Sequence, residues 1–360
     1  MNPARFLLVP VLISMLSSCG GTSDTTFNPV ISINASISDS ELTSGYAPYT
    51  AEYNAIYADG ARGAQTAAPW SSLNPTGTTY DLTMVNSTYF GLDALAGYGF
   101  TSILINIPVI AINARTIPAD IASLPFDNPT VIARYRALID QVLPYLNSSV
   151  KYISLGNEVD TYFSTHASEL TAYKTLIENA RNYIHSLKPN IKVGVTTTFD
   201  GFVGNASAQT KSDVASLNAN MDVIILTYYP TGTNFVVRSP STVSTDMASM
   251  VSTAMGKPLV MQEWGYPSSN VLSSTEQMQA DFITNTFTYW QLYGSGRIPF
   301  ISFFKRRDWD AVQCAALTGQ TPGPGNYFYE FMCSLGLLNN GGSAKLAYPV
   351  LTTEISNIGP

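Results

Sequence analysis

The chain has 360 residues, of which 45% are hydrophobic and only 12% charged, with a formal net charge of −7. That length suits one (β/α)8 barrel, which takes about 250 residues and more with insertions. No basic run or patch offers nucleic acid a footing, and a surface rich in hydroxyls, amides and tyrosines suits a neutral partner, sugars being the obvious class.

Arg5 precedes an apolar stretch, residues 6–16, of the length of a secretory core and too short to span a membrane. Leu16-Ser17-Ser18-Cys19-Gly20 looks like a bacterial lipobox. That resemblance implies cleavage before Cys19 and lipidation of its thiol. Residues 1–18 then read as a signal peptide, 19–28 as a small, polar tether, and 29–360 as a single folded domain. The expectation is an exported lipoprotein of the bacterial cell envelope, on the outer membrane or cell surface, held to the membrane only by its anchor.

Eight strand-like runs follow, at residues 29–37, 63–69, 101–107, 150–156, 191–197, 222–228, 258–264 and 298–304. Helical patterns alternate with them at 46–59, 86–98, 130–146, 168–187, 208–218, 242–255 and 275–293. Polar turns lead from helix to strand, as Lys188-Pro189-Asn190 does before Ile191. Eight alternating units fit a closed α/β barrel, a single-domain (β/α)8 TIM barrel, better than an open sheet. The first two strands and the last helix carry the weakest patterns. Cys314 and Cys333, an even pair in an exported chain, suggest one disulfide. His166 and His185 share no motif, so no metal site and no cofactor is expected.

In such barrels chemistry sits where strands end and loops begin. Three strands end in polar groups: Asn157-Glu158, Tyr228-Tyr229-Pro230 and Glu263-Trp264. Retaining cleavage of a glycosidic bond needs a protonated and an ionised carboxyl roughly 5–5.5 Å apart. Glu158 and Glu263, on the fourth and seventh strands, are the candidates.

Ile153-Ser154-Leu155-Gly156-Asn157-Glu158 resembles the fourth-strand Asn-Glu signature of clan A glycoside hydrolases. Leu259-Val260-Met261-Gln262-Glu263-Trp264-Gly265-Tyr266-Pro267 is similar to the clan's seventh-strand nucleophile segment. The order and spacing cover most of the mature chain. The resemblance implies Glu158 as general acid/base, Glu263 as nucleophile and Asn157 as a hydrogen-bond partner of the sugar 2-hydroxyl. It also implies a tyrosine on the nucleophile, either Tyr228 or Tyr229.

Trp70, Trp264 and Trp309 are candidate sugar platforms, Trp70 with the alternative of a buried loop anchor and Trp264 with that of a core residue. Trp290 reads as core. The clan's aromatic platform at strand eight is replaced by Phe303-Phe304-Lys305-Arg306-Arg307-Asp308-Trp309. Its basic residues read as partners of Asp308 and Asp310 rather than of an acidic sugar. Arg115 is a candidate for the clan's arginine near the nucleophile; Arg62 precedes its strand, at the wrong end.

The sixth-strand and Gly-Tyr-Pro segments resemble those of endo-β-1,4-galactanases and bacterial β-1,3-glucanases. The function implied is an endo-acting β-glycanase, a monomer whose partner is a polysaccharide or oligosaccharide. A transglycosylase using the same residues and a non-catalytic glycan-binding barrel are the alternatives.

Overall fold

A computed structural model of the protein describes residues 29–38, 40–294 and 296–359. The signal segment, the lipobox with Cys19 and the tether lie outside these residues. Eight parallel strands form the centre: β1 (Val30–Ile33), β2 (Gly63–Ala67), β3 (Ser102–Asn106), β4 (Val150–Ser154), β5, β6 (Ile224–Tyr228), β7 (Leu259–Trp264) and β8 (Phe300–Phe303). β5 comes in two pieces, Lys192–Gly194 and Thr196–Thr198, split at Val195. The first piece pairs with β4 and the second with β6, while β1 pairs with β8, so the ring closes. The protein is a (β/α)8 barrel, and all eight strand runs of the sequence fall on its staves.

An outer ring of helices covers the barrel: α1 (Ala47–Ala58), α2 (Leu92–Gly97), α3 (Pro129–Val142), α4 (Leu170–Leu187), α5 (Ala208–Asn218), α6 (Val243–Thr253), α7 (Glu276–Tyr289) and α8 (Ala347–Ile358). Asn128, Ser207 and Thr275 cap α3, α5 and α7 with side-chain oxygens, satisfying backbone donors that a helix start leaves free. α8 escapes the sequence pattern because Pro349 sits in it. Proline is tolerated in a first turn, and Ala347, Leu351 and Ile355 still form one buried stripe. The expected helix over 86–98 is shorter, because Gly91 makes a tight turn against the Ser87 carbonyl before α2 begins.

Side chains on a strand alternate between two faces. One set, including Ile103, Ile105, Ile153, Leu226, Met261 and Ile301, joins the large core between barrel and helices. The other set fills the barrel itself. Its lower layer is apolar, built from Leu104, Val223, Ile225, Val260 and Phe300 with Val30 and Tyr152. A Cβ on Gly63 would stand 2.7 Å from the Phe300 ring, so only glycine lets that ring plug the barrel. Above this layer the interior turns polar, with Ser32, Asn106, Ser154, Thr196, Thr227, Gln262 and Ser302 all buried.

After β8 an insert adds two short helices, Ala311–Thr318 and Tyr327–Met332. Cys314 and Cys333 are bonded, with Cα atoms 5.9 Å apart, and tie the two helices together. Phe331 and Leu335 of this insert pack with Leu272 in a small separate core that reaches Tyr229 and Phe304.

Candidate active site

The polar layer of the barrel is wired as a chain. Ser154 and Thr196 share a hydrogen bond of 2.7 Å, and Thr196 donates to Gln262 Oε1 at 2.7 Å. Gln262 Nε2 donates to Asn157 Oδ1 at 2.6 Å, and Asn106 Nδ2 donates to the same oxygen at 3.2 Å. With its oxygen doubly engaged, the Asn157 amide has its NH2 turned to the cleft as a donor. Buried polar groups that satisfy one another in this way are rigid, since each lost bond would strand a partner.

Glu158 is set by its backbone. Gly156 lies against the Tyr173 hydroxyl and Val159, where no Cβ fits. The Asn157 N–H donates to the Ile110 carbonyl at 2.8 Å, and its carbonyl accepts from Ile112 N–H at 2.7 Å. Glu158 itself adopts φ 48°, ψ 44°, a left-handed conformation, immediately before the helix Val159–Phe163. A non-glycine residue there costs on the order of 1–3 kcal/mol, which the surrounding contacts must hold in place. Thr227 Oγ1 donates to Glu158 Oε1 at 2.6 Å.

Glu263 is aimed by a bulge. On β7, Met261 pairs with Leu226, but Glu263 pairs with Thr227, so Gln262 is an extra residue; the pairing with β8 shifts at the same place. A bulge lets two successive side chains serve one face. Gln262 joins the interior network and Glu263 reaches the cleft, while Trp264 turns outward. Tyr229 O–H donates to Glu263 Oε2 at 2.6 Å. The Tyr229 ring is braced edge-on by Phe331 at 5.0 Å and Phe304 at 6.3 Å between centroids.

The two carboxyls are half-buried, and Glu263 lines the cleft. Burial, and after it the negative charge of Glu263, push the Glu158 carboxyl up to about 8, against the Thr227 hydrogen bond. Burial also raises Glu263, but donations from Tyr229 and Gln262 oppose it. Two interacting carboxyls lose their protons as a pair. The better-donated Glu263 takes the first charge, and Glu158 keeps its proton through neutral pH. One ionised and one protonated carboxyl, side by side, is the arrangement for nucleophilic attack coupled to proton donation.

The cleft has a volume of about 380 Å³ and is lined by Asn34, Asn106, Asn157, Gln262 and Glu263, with Tyr49, Tyr53, Phe90 and Phe304 among its walls. Phe304 occupies the aromatic position at the end of β8. Thr227, Gln262, Asn106 and Phe304 were not singled out from the sequence. Period-two alternation reaches Thr227, because it shares parity with Ile225 inside the barrel. No sequence signal marks the bulge that brings Gln262 in.

Several expected site residues lie elsewhere. Of the two candidate tyrosines, Tyr229 meets Glu263; Tyr228 is fully buried outside the barrel and donates to Asp246 at 2.8 Å. Trp264 is fully buried too, its N–H on Thr286 at 2.9 Å and its ring 4.2 Å from Tyr228. Trp70 is a loop anchor, fully buried and edge-on to Tyr135 at 4.8 Å. None of these three presents a face to a sugar. Trp290 is core, as read.

Arg115 is not beside the nucleophile; it pairs with Glu169 at 2.7 Å and covers the Phe126 ring. Arg62 lies over Tyr57. The basic run pairs with carboxylates other than those expected. Arg306 meets Glu52 of α1 and Asp59 just past its end, Arg307 meets Glu41, and Asp308 meets Lys345. The reason is the closed ring, in which the loop after β8 lands on the loop and helix that follow β1. Lys305 is buried with its Nζ 3.0 Å from the Trp309 ring centre, and burial pulls its amine down to about 6.

No family model matches the sequence, and no curated protein matches it. Solved structures do match. A GH5_18 protein from Streptomyces cattleya, solved with GlcNAc, superposes with a TM-score of 0.69 at 15% identity, covering 92% of this chain and 80% of that one. An exo-β-1,4-mannosidase from Opitutaceae bacterium strain TAV5 gives 0.68 at 15% identity over 91% of this chain, which spans 59% of the mannosidase. Xylanase 10B from Thermotoga maritima gives 0.60 at 12% identity, covering 92% and 96%. At these identities the likeness is one of fold: the chain has the (β/α)8 barrel of clan A glycoside hydrolases.

Proposed function

We propose that the protein is a retaining glycoside hydrolase acting on a β-linked polysaccharide, with Glu263 as nucleophile and Glu158 as acid/base. The observation that carries this reading is the pairing of a donor-stabilised Glu263 with a Glu158 held protonated up to about 8. Glu263 would attack the anomeric carbon while Glu158 protonates the leaving oxygen. Glu158, then ionised, would take a proton from water, which opens the glycosyl-enzyme from the same face the leaving group left. Asn157, with its NH2 fixed toward the cleft, would donate to the 2-hydroxyl. Phe304 would support the apolar face of the ring.

The fold-mates include an exo-mannosidase and a xylanase, both named for β-linked or xylan substrates, which supports the substrate class. A cleft open along the rims of β1, β2 and β3 supports attack within a chain. Display on the cell envelope by a lipidated Cys19 would place that attack before uptake of the fragments.

The test is a panel of β-glucans, galactans, mannans and xylan, with product sizing and proton NMR of the first anomer released. A ladder of β-configured oligosaccharides is expected. Initial release of the α-anomer would remove the retaining mechanism, and monosaccharide alone would remove endo action.

Tyr229→Phe gives a separate check. Loss of a hydrogen bond to a charged acceptor is expected to slow turnover about ten- to hundredfold. Without that donor Glu263 holds its proton to higher pH, so the acid limb of kcat/KM moves upward. An unshifted acid limb would detach Tyr229 from the nucleophile.

A further inference from the structure

Beyond the cleft lies a second hollow, of about 250 Å³, between the loop after β1 and the loop after β8. Ser36, Glu41, Arg307, Trp309, Asp310 and Gln313 are among its walls. It adjoins the catalytic cleft. Asn34 and Ala35 line the cleft and Ser36 the hollow; Phe304 lines the cleft and stands edge-on to Trp309 with ring centres 6.2 Å apart.

We infer that this hollow is a subsite for one neutral sugar, two positions of one β-glycan chain being held by the cleft and the hollow together. The inference rests on the glycosidase reading above and specifies where its substrate continues. Three independent features point to a sugar. Trp309 is a half-buried aromatic with one side backed by the buried Lys305 Nζ, which does not line the hollow. Ser36 Oγ and Gln313 Oε1 are buried at the wall with no hydrogen-bond partner in the protein, although Gln313 Nε2 is anchored on the Ile37 carbonyl at 3.1 Å. Buried polar atoms ordinarily find partners, and sugar hydroxyls supply both donors and acceptors. Finally, the charges match a neutral ligand. Among the described residues lining the hollow, Arg307 is the one cation and is paired with Glu41 at 2.8 Å, while Asp308 is paired with Lys345 and Asp310 caps a helix through Gln313 N. A uronate would meet carboxylates here and no spare cation.

The hollow also has a direction. Glu263 lines the cleft that leads to the hollow, whereas Glu158, held by the Thr227 hydroxyl of β6, is not among the residues that line it. The leaving group must lie by the proton donor, so the hollow takes a sugar on the side that keeps the anomeric carbon. It binds the glycone, toward the non-reducing end.

Trp309 reports on this site directly. The chain has four tryptophans, and Trp70, Trp264 and Trp290 are 0%, 0% and 3% exposed, leaving Trp309 as the one open to a quencher. Glu263→Ala protein, in which sugars survive, is titrated with β-linked oligosaccharides of increasing length while acrylamide quenching and binding heat are followed. Disaccharides and longer oligosaccharides should shield the emission, and the monosaccharide should not. Adding Trp309→Phe or Gln313→Ala should weaken these oligosaccharides about tenfold, the scale of one aromatic or hydrogen-bonding contact, and leave the monosaccharide unchanged. Phenylalanine keeps a ring over Lys305, so folding is preserved. Oligosaccharides that bind by calorimetry but leave quenching and both variants unaffected would overturn the subsite while leaving the glycosidase reading intact. No binding by any of them, together with no cleavage by the wild-type protein, would overturn both.

Discussion

Glu263→Ala is expected to lose polysaccharide hydrolysis by a factor on the order of a hundred-thousand, with the fold unchanged. In the proposed mechanism this carboxylate forms the covalent bond, and no neighbour replaces it. Tyr229, its nearest partner, is a hydrogen-bond donor whose hydroxyl burial and the Glu263 charge push well above its ordinary range. Removing the side chain leaves space at the floor of the cleft for a small anion. Azide added with an activated aryl β-glycoside should therefore restore turnover, attack from the vacated face and yield the α-glycosyl azide. The variant also removes the charge that, after burial, raises Glu158, so the Glu158 carboxyl should titrate lower than the wild type's value of about 8. Near-normal rates, or a β-azide product, would take Glu263 out of the nucleophile's place.

The second large effect depends on the substrate. Glu158→Ala is expected to slow polysaccharide cleavage by about a thousand- to ten-thousandfold, because an alkoxide leaving group cannot depart unprotonated. An aryl glycoside with an acidic phenol needs no such proton. Its first step should survive, and the glycosyl-enzyme should accumulate for lack of a base, giving a burst and a low apparent KM. Azide should rescue this step from the other face, with a β-azide as product. The pH profile should change with it. On the proposed mechanism, wild-type activity requires Glu158 protonated and should fall as pH rises through about 8. In the variant that alkaline limb should vanish. Equal losses on good and poor leaving groups would deny Glu158 the proton donor's role.

The barrel was legible because most staves are buried, largely apolar runs closed by a polar turn, as at Ile224–Tyr228 before Tyr229-Pro230. The two glutamates were legible because strand ends concentrate polar residues. Two of the errors, at Tyr228 and Trp264, share one cause, parity at the rim. Tyr228 and Tyr229 look alike in sequence, yet alternation from Ile225 and Thr227 sends Tyr228 to the helices and Tyr229 to Glu263. The bulge at Gln262 then breaks that same alternation, so Trp264 turns outward where its neighbourhood to Glu263 suggests a pocket wall. Ion-pair partners of Arg306 and Arg307 could not be read at all. They come from Glu52, Asp59 and Glu41, more than two hundred residues away, and only ring closure between β8 and β1 brings them near.

The left-handed turn at Glu158 has a consequence for the working life of the molecule. Backbone strain, a dehydrated carboxyl and a like-charged neighbour coincide at one residue, and all three oppose folding. Because the folded chain binds this proton more tightly than the unfolded one, the associated stability is complete in acid, below the ordinary glutamate range. It is lost as pH climbs through about 8. An alkaline environment would therefore both silence the catalyst and shorten its survival on heating. Inactive Glu158→Ala should outlast the wild type there, and Glu158→Gly, which accepts φ 48° freely, should outlast both; thermal unfolding at two pH values reads this out. If the proposed role holds, durability and catalysis are in opposition at this one position.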